Sequence, residues 1–282
     1  MSPPDTTRIS PTAHYTGHVW ERNGLSHPAL SGIPNRRLYH LARPIMWSGA
    51  FFAGGLTLED ILLQRHRIID ALLTEAIEVH GITQVIEIAG GLSARGVRFC
   101  EAHPSLRYLE GDLPDMVTRK QAALQRGGFS SNRHRIAHIN ALVEDGPASV
   151  GTVAVDWLDP MKPVVVITEG LINYFDTPTA TAMWARFAHL LKRFDGGLYL
   201  SDIRLNEVVT GFAAVRFFFR LLSVVARGTV YSHFDSRQDA CQALVAAGFS
   251  EAALHRPTDW VERVPIKIGR RGAIIQVLAA RY

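Results

Sequence analysis

An apolar run, Val85-Ile86-Glu87-Ile88, leads into Ala89-Gly90-Gly91-Leu92-Ser93-Ala94-Arg95-Gly96. Small residues at the end of such a run let the backbone approach a ligand closely, at the edge where α/β sheets bind nucleotides. Three chemistries compete for this pattern. A dinucleotide site needs G-x-G-x-x-G, and glycines at 90, 91 and 96 do not fit it. A nucleophile elbow needs G-x-S-x-G, and the stretch from Gly91 through Ser93 to Gly96 has one residue too many. An S-adenosylmethionine (SAM) loop needs an acid at the strand end before a small-residue turn. Glu87 supplies that acid, and its carboxylate can meet the positive end of the methionine moiety. The alternative for Glu87 is capping of the following helix. About twenty residues on, Glu110-Gly111-Asp112 puts carboxylates where ribose hydroxyls are bound in this kind of sheet, which favours the SAM loop.

These residues need a sheet to hold them. Short β-branched runs at 84–88, 107–109, 135–139, 164–167 and 198–200 alternate with helical patterns, among them Thr177–Arg193. Near-continuous apolar strands separated by helices predict a parallel sheet covered on both faces. Ahead of it, Thr57 and Asp60 form a capping-box pattern. Leu58, Ile61, Leu62, Ile69, Leu72, Leu73, Ala76 and Ile77 make a helical stripe that stops at Gly81. Residues 1–56 read as short helices and turns, with turn signals at Asn23-Gly24 and Ile33-Pro34-Asn35. After Asp202 the pattern predicts a long apolar helix over 206–226, another over 236–247, and strands over 264–268 and 273–279 joined as an antiparallel hairpin.

In order along the chain, these segments resemble the leucine carboxyl methyltransferase-like class of SAM-dependent methyltransferases. Arg65-His66-Arg67-Ile68-Ile69-Asp70 is similar to the family's Arg-containing helix before the sheet. Glu87 to Arg98 resembles its glycine loop and D-T-R-x-x-R run. Glu110-Gly111-Asp112-Leu113-Pro114 with Arg119-Lys120 resembles its E-x-D-x-P…R-K segment. Glu169-Gly170 through Tyr174 resembles its E-G-x-x-x-Y segment. The opening from Ile9 through His14 and Tyr15 to Trp20 is similar to the branch of the tetracenomycin polyketide carboxyl O-methyltransferase. The resemblance implies an α/β, Rossmann-like class I methyltransferase: a mostly parallel seven-stranded sheet with a C-terminal antiparallel strand and a helical N-terminal cap. One domain spans the chain, with a cap at 1–80, a SAM-binding core at 81–202, a helical lid or interface insertion at 203–247, and C-terminal strands at 248–282.

It also implies roles. Arg65 binds the SAM carboxylate, for which a bidentate fork is suited. Ala89, Gly90 and Gly91 lie under the methionine moiety. Asp112 takes the ribose hydroxyls, with Glu110 as its rival. Asn140 and Ala141 flank the adenine, and Glu169 lies near the sulfonium. The chain departs from the family's pattern at Ala89, where glycine is usual, and at Ser93 and Asn140, where aspartate is usual. A glycine at 89 serves a positive φ or a close approach, so a methyl group there bears on SAM affinity.

Methyl transfer from a sulfonium to a carboxylate needs no general base, because the acceptor is already ionised at neutral pH. A phenol or alcohol would need one. No second strongly placed base emerges from the motifs, which leans toward a carboxylate. His14, Tyr15, Tyr174 and Arg204 are the acceptor-side candidates. The expected activity is O-methylation of a small, polyketide-like molecule of secondary metabolism. The alternative is a degenerate SAM-fold binding or regulatory protein, kept open by Ala89 and Asn140.

Composition narrows the remaining options. The net charge of +4 comes without a Lys/Arg-rich run or zinc-finger spacing, so no nucleic-acid partner is expected. Arginine supplies all but four of the 30 basic residues, spread along the whole chain, as a GC-rich coding sequence would give. Cys100 and Cys241 cannot build a disulfide framework and fit a reducing compartment. With no apolar stretch in the first ten residues, a cytoplasmic location is expected. Residues 208–226 are apolar and long, but Arg216 and Arg220 make a membrane span costly. That helix reads as a lid or a homodimer face. His14/His18 and His134/His138 have i,i+4 spacing without a patterned third ligand, so no metal is expected.

Overall fold

The computed structural model describes residues 11–30, 55–206, 230–270 and 274–282. Helix α1 (Pro11–Arg22) packs on the long helix α2 (Leu58–Glu78). Helix α2 starts where the sequence says it must. Thr57 Oγ1 accepts from the Asp60 N–H at 3.1 Å, and the Asp60 carboxylate accepts from the Thr57 N–H at 2.8 Å. Its stripe of Ile61, Leu62, Ile69, Leu73 and Ala76 is buried, and Gly81 follows at φ 69°.

The sheet then builds by helical crossovers between parallel strands. Its strands are β1 (Gln84–Ile88), β2 (Arg107–Asp112), β3 (His134–His138), β4 (Val164–Thr168), β5 (Gly197–Ile203), β6 (Glu251–His255) and β7 (Gln276–Arg281). Their spatial order is β3-β2-β1-β4-β5-β7-β6, with β7 antiparallel to both neighbours. Between the strands run α3 (Arg95–Ala102), α4 (Pro114–Arg126), α5 (Val150–Val155), α6 (Thr177–Arg193) and α7 (Arg237–Ala246). Strands β1 and β4 are buried at every residue, as a central position demands. Alternate residues feed two cores. Val85, Val165 and Ile167 pack with Ile69, Leu73 and Phe99 of α2 and α3. Ile86, Val164 and Val166 pack with Trp184 and Phe187 of α6.

Two expectations for the C-terminal part need correction. Residues 264–268 are not a strand, so there is no hairpin with 273–279. Pro265 lacks an N–H, and the carbonyls of Pro265 and Lys267 are taken by Arg67 and Gln64 of α2 instead. The edge strand is Glu251–His255, a segment whose Glu-Ala-Ala-Leu sequence favours a helix by propensity; pairing with β7 overrides it. The expected helix over 206–226 and the turn at 33–35 lie outside the described residues. Among the described residues no helix is long and apolar enough to cross a membrane.

Candidate active site

The ends of β1, β2 and β3 bring the first group of residues together. Ala89 leaves β1 at φ 57°, the one positive φ on a non-glycine residue among the described residues. Its N–H donates to the Gly111 carbonyl at 2.7 Å, which ties the loop to β2. The Gly91 N–H donates to Asp112 Oδ2 at 2.9 Å, and the Leu113 N–H to Asp112 Oδ1 at 2.8 Å. Each oxygen of Asp112 therefore keeps acceptor capacity, and the side chain is only partly buried at the loop. Burial raises its carboxyl above the ordinary aspartate value, against the pull of those two N–H groups. Asn140 stands after β3, where its Oδ1 accepts from the Leu142 N–H at 3.0 Å. The Ala141 carbonyl accepts from Arg186 of α6 at 3.2 Å.

Glu110 and Glu87 are occupied elsewhere. Glu110 is buried between Lys120 of α4 and His134, whose Nε2 lies 2.7 Å from Oε1. Burial opposes its ionisation, but Lys120 and His134 more than offset that and bring the carboxyl to about 2. Lys120 also donates to the Ser93 carbonyl at 2.5 Å, so the pair anchors the loop from below. Gly96 makes this possible: a Cβ there would stand 2.8 Å from Tyr108 Cδ1 and His134 Nε2. Glu87 has both oxygens engaged, Oε1 by Arg95 at 2.5 Å and Oε2 by Tyr108 at 2.7 Å. A Cβ at Gly90 would stand 3.2 Å from the Glu87 Cδ, so the carboxylate underlies the loop rather than capping the helix.

A second group forms where α2 meets the ends of β4 and β5. Arg95, fully buried, donates to Asp70 Oδ1 at 2.6 Å, to Glu87, and to Glu169 Oε2 at 2.5 Å. Arg65 Nε donates to Glu169 Oε1 at 3.0 Å, and its Nη1 to Asp202 Oδ2 at 3.3 Å. Its guanidinium lies against Gly170, which holds φ 71° and has no room for a Cβ. Asp202 also accepts from the Gly170 N–H at 2.5 Å and from Asn173 at 3.2 Å. Burial pushes the Asp202 carboxyl up, and Arg65 opposes it. Burial opposes the ionisation of Glu169 too, but His66 and Arg95 hold its carboxyl well below the ordinary value.

Beside Arg65 opens a cavity of about 100 Å³. Leu58, Ile61 and Leu62 of α2, with Val230, Ile274 and Ile275, give it apolar walls, and Tyr15, Tyr174, Arg65 and Arg204 supply polar groups. Arg204 donates to Ser232 Oγ at 2.7 Å and to the Val230 carbonyl at 3.1 Å. Burial lowers its guanidinium to about 10. Three of the four acceptor-side candidates thus meet in one wall, whereas His14, beside Tyr15 on α1, is not among the lining residues. Sequence reasoning missed Asp70, Arg95, Lys120, Asn173 and Asp202. Their partners come from distant segments; Asp70, Arg95, Lys120 and Asn173 lie in the family-like runs, which gave them a position but no partner, and Asp202 had no such signal.

Residues 53–188, just under half of the chain, match the family model described as leucine carboxyl methyltransferase. Among curated relatives, a protein from Frankia alni named as an S-adenosyl-L-methionine-dependent methyltransferase is 32% identical over 130 residues. That match covers 46% of this chain and 42% of the relative. A similarly named protein from Mycolicibacterium gilvum is 30% identical over 115 residues, covering 41% and 36%. The matches therefore span well under half of each relative's length. A structure from Thermobifida fusca described as a methyltransferase superposes with a TM-score of 0.69 at 12% identity, over 99% of this chain and 98% of that one. A DUF574 family protein from Streptomyces avermitilis superposes with a TM-score of 0.65 at 13% identity, over 94% and 96%. The fold is that of the Rossmann-like class I methyltransferases. The matching family model is that of a methyltransferase, and both curated relatives are named as SAM-dependent methyltransferases.

Proposed function

We propose that the chain is a SAM-dependent O-methyltransferase whose acceptor is the carboxylate of a small, largely apolar, polyketide-like molecule. The observation that carries this reading is the apolar cavity with Arg204 and Arg65 in its wall, where Arg65 is also bonded to Glu169 of the buried cluster. Apolar walls take the body of the acceptor, and the buried Arg204 guanidinium takes its charge. On the donor side, Asp112 receives ribose hydroxyls on its free acceptor positions. Asn140 and Ala141 flank the adenine, and the loop over Glu87 underlies the methionine moiety. Arg65 takes the donor's carboxylate, and Glu169 lies toward the sulfonium.

SAM supplies an electrophilic methyl group. The chain's own work is to align the acceptor oxygen with it, exclude water and balance charge. An ionised carboxylate brings its own electron pair, so no proton has to move. The degenerate-protein alternative leaned on Asn140 and on Ala89. That residue adopts the positive φ a glycine would use and keeps its bond to Gly111, so the loop is formed in spite of the methyl group.

The test uses SAM labelled in the methyl group with a panel of apolar aryl and alkyl carboxylic acids, phenols and alcohols. Carboxyl methylation predicts label that is released as methanol by alkali, since esters hydrolyse and ethers do not. Transfer that gives only alkali-stable label would replace the carboxylate by a hydroxyl acceptor. Binding of SAM with no transfer to any class would favour the degenerate reading.

A further inference from the structure

His66 is fully buried on α2, yet its polar neighbours belong to the donor-side cluster. Nδ1 lies 2.8 Å from Glu169 Oε2 and 2.8 Å from Arg95 Nη2. Nε2 lies 3.2 Å from Arg98 Nη2 and 3.7 Å from Asp70 Oδ2. One face of the ring is covered by Trp20 of α1, stacked at a centroid distance of 4.1 Å with 27° between planes. Trp20 is itself 3% exposed and packs with Val19, Leu62 and Leu63. The same helix α1 carries Tyr15 and Thr16 into the wall of the acceptor cavity.

Glu169 is thus held from two sides. Arg65, which lines the cavity, takes Oε1. His66 and Arg95, shut away from solvent, take Oε2. A buried imidazole costs free energy unless its nitrogens are satisfied, and at this position an apolar side chain would fill the same space without that cost. The hydrogen-bonding groups that satisfy it are those that fix the loop after β4.

We propose that His66 is a positioning residue that sets Glu169 through Nδ1, and that Trp20 couples this setting to the docking of α1, so donor binding orders the helix that walls the acceptor cavity. The inference rests on the SAM reading above. It needs one linkage only: a donor that favours the seated Glu169 favours the seated His66 and therefore the stacked Trp20. The donor site and the acceptor wall then strengthen together.

The test measures S-adenosylhomocysteine (SAH) affinity by calorimetry and amide hydrogen exchange in residues 11–22, with the full chain. For the intact protein, SAH slows exchange in 11–22 about tenfold or more. His66→Ala weakens SAH about ten- to hundredfold, the worth of a hydrogen bond to a charged group. His66→Asn, whose amide N–H stands where Nδ1–H stood, recovers most of that loss. Trp20→Leu keeps SAH affinity within about tenfold, the scale of one aromatic stack, while the slowed exchange in 11–22 disappears. SAH binding with no change of exchange in 11–22 overturns the coupling. Equal loss in His66→Ala and His66→Asn, both folded by circular dichroism, overturns the positioning role. No SAH binding by the intact protein overturns the SAM reading itself, and the coupling with it.

Discussion

Replacing Arg95 by methionine removes a cation that touches Asp70, Glu87 and Glu169 at once. The three carboxylates come from α2, β1 and the loop after β4, so the guanidinium joins three elements. Burial disfavours its charge, but Glu87, Asp70 and Glu169 hold it well above the ordinary value. Methionine fills much of the volume but leaves the buried Glu87 facing the neutral Tyr108. It also takes one cation from Glu169, which keeps Arg65 and His66, and one from Asp70, which keeps Arg98. Breaking a buried ion pair in this way costs about 3–5 kcal/mol. For a domain of this size that lowers the melting temperature by roughly 10 °C. The pH dependence carries a sign. In the intact protein the Asp70 and Glu169 carboxyls are depressed, so their contribution is present above the ordinary carboxylate range and fades as pH falls below it. In Arg95→Met, burial acts on Asp70 and Glu169 with one cation fewer against it, so they take up protons at a higher pH than in the intact protein. The gap between the two proteins is therefore widest near neutrality and narrows toward about pH 4, inside the ordinary carboxylate range. Thermal melts followed by circular dichroism at both pH values check this. A variant that melts within about 2 °C of the intact protein at neutral pH would refute the argument that Arg95 holds the site together.

Ala89→Gly is expected to change stability by less than about 1 kcal/mol, because relief of the left-handed alanine is offset by glycine's chain entropy. Ala89→Val, β-branched at the same φ, is expected to lose about 2 kcal/mol more, read from urea melts. Gly96→Ala puts a methyl group onto Tyr108, Glu110 and His134, with a loss of about 1–3 kcal/mol and weaker SAH binding as the Lys120 anchor of Ser93 shifts. The Cys100 thiol is pushed up to about 12 by burial, so a thiol reagent at about pH 8 should modify Cys241 alone until the protein unfolds.

Much of the sheet was legible because its signals are local. The apolar runs marked five strands, Thr57 and Asp60 marked the start of α2, and Thr177–Arg193 came out as read. The strand at Glu251–His255 was not legible, because only its pairing with β7 makes an alanine-rich segment extended. The site was legible where a backbone conformation was at stake. A positive φ or a close approach was expected at position 89, and Ala89 stands at 57°. It was not legible where side chains chose between partners. Glu110 and Asp112 lie two residues apart on one strand. Only the arrival of Lys120 and His134 commits Glu110 to the packed layer and leaves Asp112 at the loop. In the same way, nothing near Glu87 announces that Arg95 and Tyr108 take both its oxygens.

The proposed donor site lies at the ends of β1 and β2, with Arg65 supplied by α2. It is tested most directly by titrating the intact protein with SAM and with SAH in a calorimeter, alongside Arg65→Ala and Asp112→Ala. The account predicts micromolar binding by the intact protein and its loss in both variants while each stays folded. Absence of binding by the intact protein, or undiminished binding in both variants, would contradict it.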